Sequence, residues 1–290
     1  MKSLKSFDKL GRELTHKDIC PYYESNCESV GCVCPKYKAY EAANDPKMVE
    51  EKIKELGIDP TKDPLTVMMQ MQKLFAAKFH KVDNFTKDEV DKWTLAYDGC
   101  ITDEITEVHE HLSVFPGIEA KENTLELQKE FIDIWHFLMD QFIVAGMDAN
   151  KLVEVYVQEC IAGATMSYAL KTYSADGDPL DMIFNREYNL LNSKLNGELS
   201  VLSKDDRDMQ ILIYSNLILA GMRKVRQQIS WKHWKKPADK INYNQLHSAL
   251  AYSFKTLVQC FILSGLDAKE LTKIYTQKNI ENVFRQKFGY

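Results

Sequence analysis

Four carboxylates in the first half of the chain are spaced for one kind of chemistry. Glu104 and Glu107 stand three residues apart in ITDEITEVHEHL, and Glu130 and Asp133 stand three apart in KEFIDIWHF. On helices, an i,i+3 spacing turns both members of a pair to one face. The second pair lies in a run that is otherwise apolar (Phe131, Ile132, Ile134, Trp135, Phe137, Leu138). Its carboxylates therefore approach a buried seam. Two facing carboxylate pairs repel unless a cation neutralises them. An all-oxygen donor set suits Mg²⁺ or Mn²⁺, ions that leave positions for substrate phosphates. A solvated acidic face explains Glu104 and Glu107 at least as well. It explains Asp133 poorly, because a lone carboxylate flanked by aromatics is costly to bury.

A second set of residues has the opposite charge. Lys278, Asn282 and Arg285 recur at i, i+4 and i+7 in YTQKNIENVFRQKFGY, which ends on Tyr290. Two cations with an amide between them suit a polyphosphate, although a solvated helix face gives the same stripe. SWKHWKKP (230–237) adds three lysines beside Trp231, His233 and Trp234. Those tryptophans serve equally as an anchor between helices. Near the N-terminus, Cys20, Cys27, Cys32 and Cys34 crowd into fifteen residues. Four thiols so close can hold a structural Zn²⁺, but C-x6-C-x4-C-x-C matches no standard zinc ribbon or finger, and free thiols on an irregular extension are the alternative.

Long helices must position these residues. Gly (12) and Pro (8) together make 20 of 290 residues, roughly 7% against a usual ~12%. The prolines lie at 21, 35, 46, 60, 64, 116, 179 and 237, leaving four stretches of about fifty residues or more without one. A β-sandwich or barrel needs turn residues more often than that. Helical periodicity runs through 65–79, 101–112, 125–146, 149–163, 209–229, 243–263 and 268–286. The fold expected is all-α, a helical bundle with an irregular N-terminal extension. A net charge of −5 gives no general basic face for nucleic acid. No run of eighteen apolar residues spans a membrane, and MKSLKSFDKLGREL has no apolar core of signal-peptide length. Seven cysteines, an odd number without an export signal, fit a reducing cytoplasm.

The bundle carries an internal repeat. FIVAGMDANKLVEVYVQ (142–158) matches FILSGLDAKELTKIYTQ (261–277) without gaps at an offset of 119, with eight of seventeen residues identical. Shared hydrophobic phase arises by chance; a shared Gly-x-Asp-Ala turn and a shared Tyr-x-Gln do not. Two related helical units follow, each half of a bundle. The division expected is 1–60 as a Cys-rich extension, 61–165 as a first unit with the acidic site, 166–204 as a connector, and 205–290 as a second unit. Gly177, Asp178 and Pro179 mark the connector as turn-rich. The acids are one-sided. At the repeat offset, Glu130 and Asp133 become Ala249 and Tyr252. Aligned on apolar phase, Glu104 and Glu107 fall opposite Gly221 and Lys224. A unit that kept a metal site beside one that lost it explains this better than a generic charge pattern.

Together these segments resemble the all-α nucleoside triphosphate pyrophosphohydrolases, the group of dimeric dUTPases and MazG-type enzymes. E-x-x-E (Glu104, Glu107) and E-x-x-D (Glu130, Asp133) match that family's metal motifs, SWKHWKK a tryptophan–lysine segment of dimeric dUTPases, and KNIENVFRQKFGY their C-terminal phosphate-binding motif. KDPLTVMMQMQ (62–72) and the C-terminal segment are similar to the phage-type dCTP/dUTP pyrophosphatases within the group. The resemblance covers about 62–165 and 205–290. It implies two or three Mg²⁺ ions on Glu104, Glu107, Glu130 and Asp133, and a metal-bound water oriented by Glu104 or Glu107 attacking the α-phosphorus. It also implies phosphate binding by Lys278, Asn282, Arg285 and Tyr290, and a base slot at Gln72, Phe75 and His136. The substrate implied is a pyrimidine dNTP, in the cytoplasm (a host's, if the source is viral), with the chain a monomer or homodimer. One departure stands out. Uracil-reading dimeric dUTPases carry Gln and Asn four residues apart on the first helix; here those places hold Met71 and Phe75, with Gln72 beside them. That departure argues against strict uracil specificity and favours cytosine or both pyrimidines.

Three other readings compete. One is a strict dUTPase. Another is a ferritin-like di-metal bundle using Asp133-x-x-His136, which needs a second such pair that the other copy lacks. The last is a non-catalytic nucleotide-binding protein, against which the presence of all four acids argues.

Overall fold

A computed structural model describes residues 45–114, 124–160, 177–230 and 240–287. Among them are nine α-helices, one 3₁₀ turn and no strand. The helices are α1 (Pro46–Glu55), α2 (Pro64–Ala76), α3 (Lys87–Glu110), α4 (Thr124–Val144), α5 (Ala149–Cys160), α6 (Pro179–Lys194), α7 (Lys204–Arg226), α8 (Tyr243–Leu263) and α9 (Ala268–Lys287). The fold is all-α, as the scarcity of turn residues requires. The chain forms two compact units, Ile58–Tyr275 and Met1–Gly57 with Thr276–Tyr290. No single helix among the described residues is long and apolar enough to cross a membrane.

Helix starts follow local chemistry. Thr86 caps α3 with a capping box: its hydroxyl accepts from Glu89 N–H and the Glu89 carboxylate accepts from Thr86 N–H. That pair satisfies two end donors of the helix. It sets the start of α3 fourteen residues before the periodic run at 101. Asp45 and Asp178 each accept a backbone N–H just past a proline at the first helical position, the favoured place for proline. Two stretches expected to be irregular therefore contain helices: α1 in the N-terminal extension, and α6 in the stretch expected to be a connector. Gly177-Asp178-Pro179 is a helix start rather than a turn.

In the larger unit, α3 packs on α4 and α7 on α8, while α4 and α8 meet along the core. Along that seam Trp135 stacks on Phe254 at 5.3 Å and Phe131 meets Phe261 edge-on at 6.3 Å. All four rings are fully buried, each stabilising the fold by roughly 1.5–3 kcal/mol. α2 lies on α4 and α5, and α6 lies on α8.

The turns at the two ends of the repeat have the same geometry. Gly146 (φ 72°) and Gly265 (φ 87°) end α4 and α8 in the left-handed region. Behind each, a backbone N–H returns to the helix, Met147 to Phe142 at 2.8 Å and Leu266 to Phe261 at 2.9 Å. Asp148 then accepts from Lys151 N–H and Asp267 from Glu270 N–H. Only a residue without a Cβ takes that φ cheaply.

Candidate active site

The acidic residues sit where α3 faces α4. Ile101, Ile105 and Val108 form the buried stripe of α3, and Glu104 and Glu107 flank it. On α4, Phe131, Ile134 and Trp135 are fully buried, and Glu130 and Asp133 lie half-buried at the edge of that face. Glu104, Glu107 and Glu130 each bring a carboxylate oxygen within 4.8 Å of the others. His111 Nε2 lies 3.7 Å from Glu130 Oε1. Three anions at that spacing fit a hard divalent cation, and their all-oxygen donor set is that of Mg²⁺ or Mn²⁺. Asp133 is one turn on from Glu130 and outside this tight group of three. No histidine belongs to the group, so His136 does not form a carboxylate–histidine ligand pair there. Beside His111 opens a cavity of about 420 Å³ lined in part by Lys204, Arg207 and Asp208.

The base-slot residues divide. Gln72 on α2 is buried, with Nε2 donating to Asp140 Oδ1 at 2.9 Å. Its Oε1 accepts from His136 Nδ1 at 2.8 Å and from the Tyr275 hydroxyl at 3.0 Å. The His136 ring lies against Tyr275, 4.5 Å between centroids. Gln72 and His136 are thus brought together. Phe75, one turn on, is half-exposed and packs edge-on against Phe79 at 5.3 Å.

Sequence reasoning missed Asp140 and Tyr275. Asp140 is buried, and that burial pushes its carboxyl up to about 7 despite the Gln72 bond. Near it on α3, burial and the neighbouring Asp140 push the Tyr97 phenol up. Burial also raises the Cys100 thiol, reinforced by Asp103 and Glu104 and then by Asp140. Cys100 stands on α3 one turn before Glu104. Half-buried Tyr97 packs against Phe137 at 6.2 Å and stacks with Trp93 at 5.9 Å. The signals were present: Asp140 interrupts an apolar run as Asp133 does, and Tyr275 is one of the repeat's identities.

The other sites are only partly described. Lys278 and Asn282 lie half-buried on α9. Arg285 falls within α9, but its side chain lies outside the described residues, as does Tyr290. The cluster of Cys20, Cys27, Cys32 and Cys34, with its expected zinc, lies outside them too, as does most of the SWKHWKKP segment.

No protein-family model matches the chain, and no solved structure does. Two curated proteins of Enterobacteria phage T4 are similar to it. One is a dCTP pyrophosphatase, 27% identical over 128 residues, covering 33% of this chain and 75% of that protein. The other is a DNA replication protein with the same identity and length of match, covering 33% of this chain and 33% of that protein. The chain is thus a distant relative of a phage dCTP pyrophosphatase.

Proposed function

We propose that the chain is a Mg²⁺-dependent nucleoside triphosphate pyrophosphohydrolase that converts dCTP, dUTP or both to the monophosphate and pyrophosphate. The observation that carries the reading is the convergence of Glu104, Glu107 and Glu130 at the α3–α4 face. The similarity to a phage dCTP pyrophosphatase supports the same class, a hydrolase of nucleotide phosphoanhydride bonds. Both relatives are phage proteins, which supports a role in the pyrimidine dNTP pool of a host cytoplasm.

In this reading Glu104, Glu107, Glu130 and Asp133 hold the ion (Mn²⁺ can replace Mg²⁺). The ion supplies neutralisation of triphosphate charge and Lewis-acid polarisation of the phosphoryl group. Water bonds to the α-phosphorus as the α–β bridging P–O bond breaks. The electron pair leaves with pyrophosphate. Glu107, the most exposed of the three converging acids, takes the proton from the attacking water. Lys278, Asn282, Arg285 and Tyr290 hold phosphates and offset the charge that grows on them. Gln72, Phe75 and His136 form the base slot. The chain acts as a monomer or homodimer on a small-molecule substrate, with no nucleic acid bound directly.

The test is a panel of dNTPs with Mg²⁺ and the purified chain, products resolved by anion-exchange chromatography. A pyrimidine monophosphate with equimolar pyrophosphate is expected. An absence of turnover on every dNTP would sink the reading.

A further inference from the structure

The Gln72–Asp140 pair presents an acceptor beside a donor. The ionised Asp140 carboxylate sets which way the Gln72 amide turns, because it accepts and cannot donate. Gln72 Oε1 is occupied by His136 Nδ1–H and the Tyr275 hydroxyl, and its Nε2 is drawn to Asp140 Oδ1. An amide nitrogen carries two hydrogens and a carboxylate about four acceptor positions. One Gln72 hydrogen and Asp140 Oδ2 are left over, because among the described residues only Gln72 bonds to Asp140. Asp140 Oδ2 is therefore an acceptor that no described protein group occupies, next to a donor of Gln72.

We infer that Asp140 and Gln72 read the Watson–Crick edge of an aminopyrimidine, Asp140 accepting from its exocyclic amine and Gln72 donating to its ring nitrogen. Cytosine presents that donor–acceptor order, and uracil presents the reverse. The inference rests on the pyrophosphohydrolase reading and names the base that reading leaves open.

Placement agrees. Tyr97, Cys100 and Glu104 recur at i, i+3 and i+7 on α3; Asp133, Phe137 and Asp140 recur at i, i+4 and i+7 on α4. Two stripes therefore run side by side from the acidic group to Asp140. Seven residues of helix rise about 10 Å, the reach of a nucleotide from its α-phosphate to the far edge of its base. Between the ends, half-buried Tyr97 and Phe137 offer ring surface for the base. Stacking on aromatics with hydrogen bonds to the base edge is a general mode of base reading.

A second buried acid in the same fold shows what a structural one looks like. Glu187 on α6 is fully buried. It accepts from Tyr156 at 2.5 Å, Arg186 at 2.5 Å and Gln259 at 2.6 Å. Both its oxygens are engaged, whereas Asp140 has one open.

The experiment compares kcat/KM for dCTP and dUTP in the wild type and in Asp140→Asn, full-length, with circular dichroism as the folding control. Asparagine keeps an oxygen for Gln72 and turns an N–H₂ to the open side, where it opposes the cytosine amine. A mismatched bond to a charged group is worth roughly ten- to a hundredfold. The wild type is expected to favour dCTP at least tenfold, and Asp140→Asn to lower that ratio at least tenfold. A wild-type ratio within threefold of one overturns the inference without any variant. So does a ratio that Asp140→Asn leaves unmoved, even if both activities fall together. Both results leave the pyrophosphohydrolase reading standing. Failure of the wild type to hydrolyse any dNTP overturns that reading and this one with it.

Discussion

Two buried acid–amide pairs occupy matching places in the molecule. Asp140 on α4 and Gln259 on α8 are 119 residues apart, the offset of the repeat, and so are Tyr156 and Tyr275. Around α2, Gln72 meets Asp140 and the Tyr275 hydroxyl. Around α6, Glu187 meets Gln259 and the Tyr156 hydroxyl. Acid and amide have exchanged helices. Arg186 completes the second network, and its acid is saturated; the first leaves a carboxylate oxygen unused. The same contrast holds where the helix pairs face each other. Glu104, Glu107 and Glu130 converge between α3 and α4. Between α7 and α8, Gly221 packs against Ser253 and Tyr252, and Lys224 Nζ lies 4.5 Å over the Tyr252 ring. One pair of facing helices gathers carboxylates, and the other places a lysine on an aromatic ring. The contrast separates a buried acid held on both oxygens, Glu187, from one held on a single oxygen, Asp140.

The sharpest way to break that contrast is at the acidic group. Glu130→Gln should lower turnover about 10³-fold, the scale of several kcal/mol of metal stabilisation, with the helical spectrum intact. Lys224→Gln, on the face without acids, should leave turnover within twofold. Steady-state assays of both variants decide it, and equal losses would erase the distinction.

The saturated pair should carry stability instead. Glu187→Gln removes the charge from a buried network and leaves Arg186 and Gln259 mismatched, at a cost of about 3–5 kcal/mol. Urea unfolding should show the loss, while the dCTP-to-dUTP ratio stays unmoved.

The open pair should behave in the opposite sense. Asp140 has its carboxyl raised to about 7 by burial, whereas an unfolded aspartate titrates near ~3.9. Between those values the folded chain holds a proton that the unfolded chain lacks. Stability therefore falls as pH rises from about 4 to about 7 and stays reduced above. Asp140→Asn removes that titration and keeps an acceptor for Gln72. Its melting temperature relative to wild type should rise between pH 5 and pH 8, by the equivalent of a few kcal/mol. A pH-independent difference would contradict the assignment.

The smallest effects concern two helix glycines. A Cβ at Gly221 would run into Ser253 Oγ, so Gly221→Ala should destabilise by about 1–3 kcal/mol. Gly99 on α3 has nothing within 4 Å of such a Cβ, and Gly99→Ala should stabilise by about 0.5–1 kcal/mol. Thermal melts of the pair test whether α7 and α8 pack closely while α3 keeps open space at Gly99.

What could be read from residues alone follows from the range of the physics involved. The approach of Glu104, Glu107 and Glu130 to one another was legible because helical spacing is local; Asp133, read from the same spacing, lies outside that group. The Gly-x-Asp-Ala turn was legible because positive φ and an Asp cap leave local signatures. α6 was not, because Asp178-Pro179 serves both a turn and a helix start, and only the tertiary contacts of Leu180, Ile183 and Glu187 decide between them. The first turns of α3 were hidden because Lys87–Gly99 is mostly polar, and the capping box at Thr86–Glu89 was the overlooked cue. The Gln72 network joins residues 64 to 203 positions apart, so spacing carries no trace of it.

The central claim is that the acidic face of α3 and α4 cleaves a nucleoside triphosphate between its α- and β-phosphates. ³¹P NMR of dCTP incubated with the chain and Mg²⁺ tests it directly. The account predicts dCMP and pyrophosphate signals growing together, and none of either with Glu130→Gln. Release of orthophosphate with dCDP, or product formation unaffected by Glu130→Gln, would contradict it.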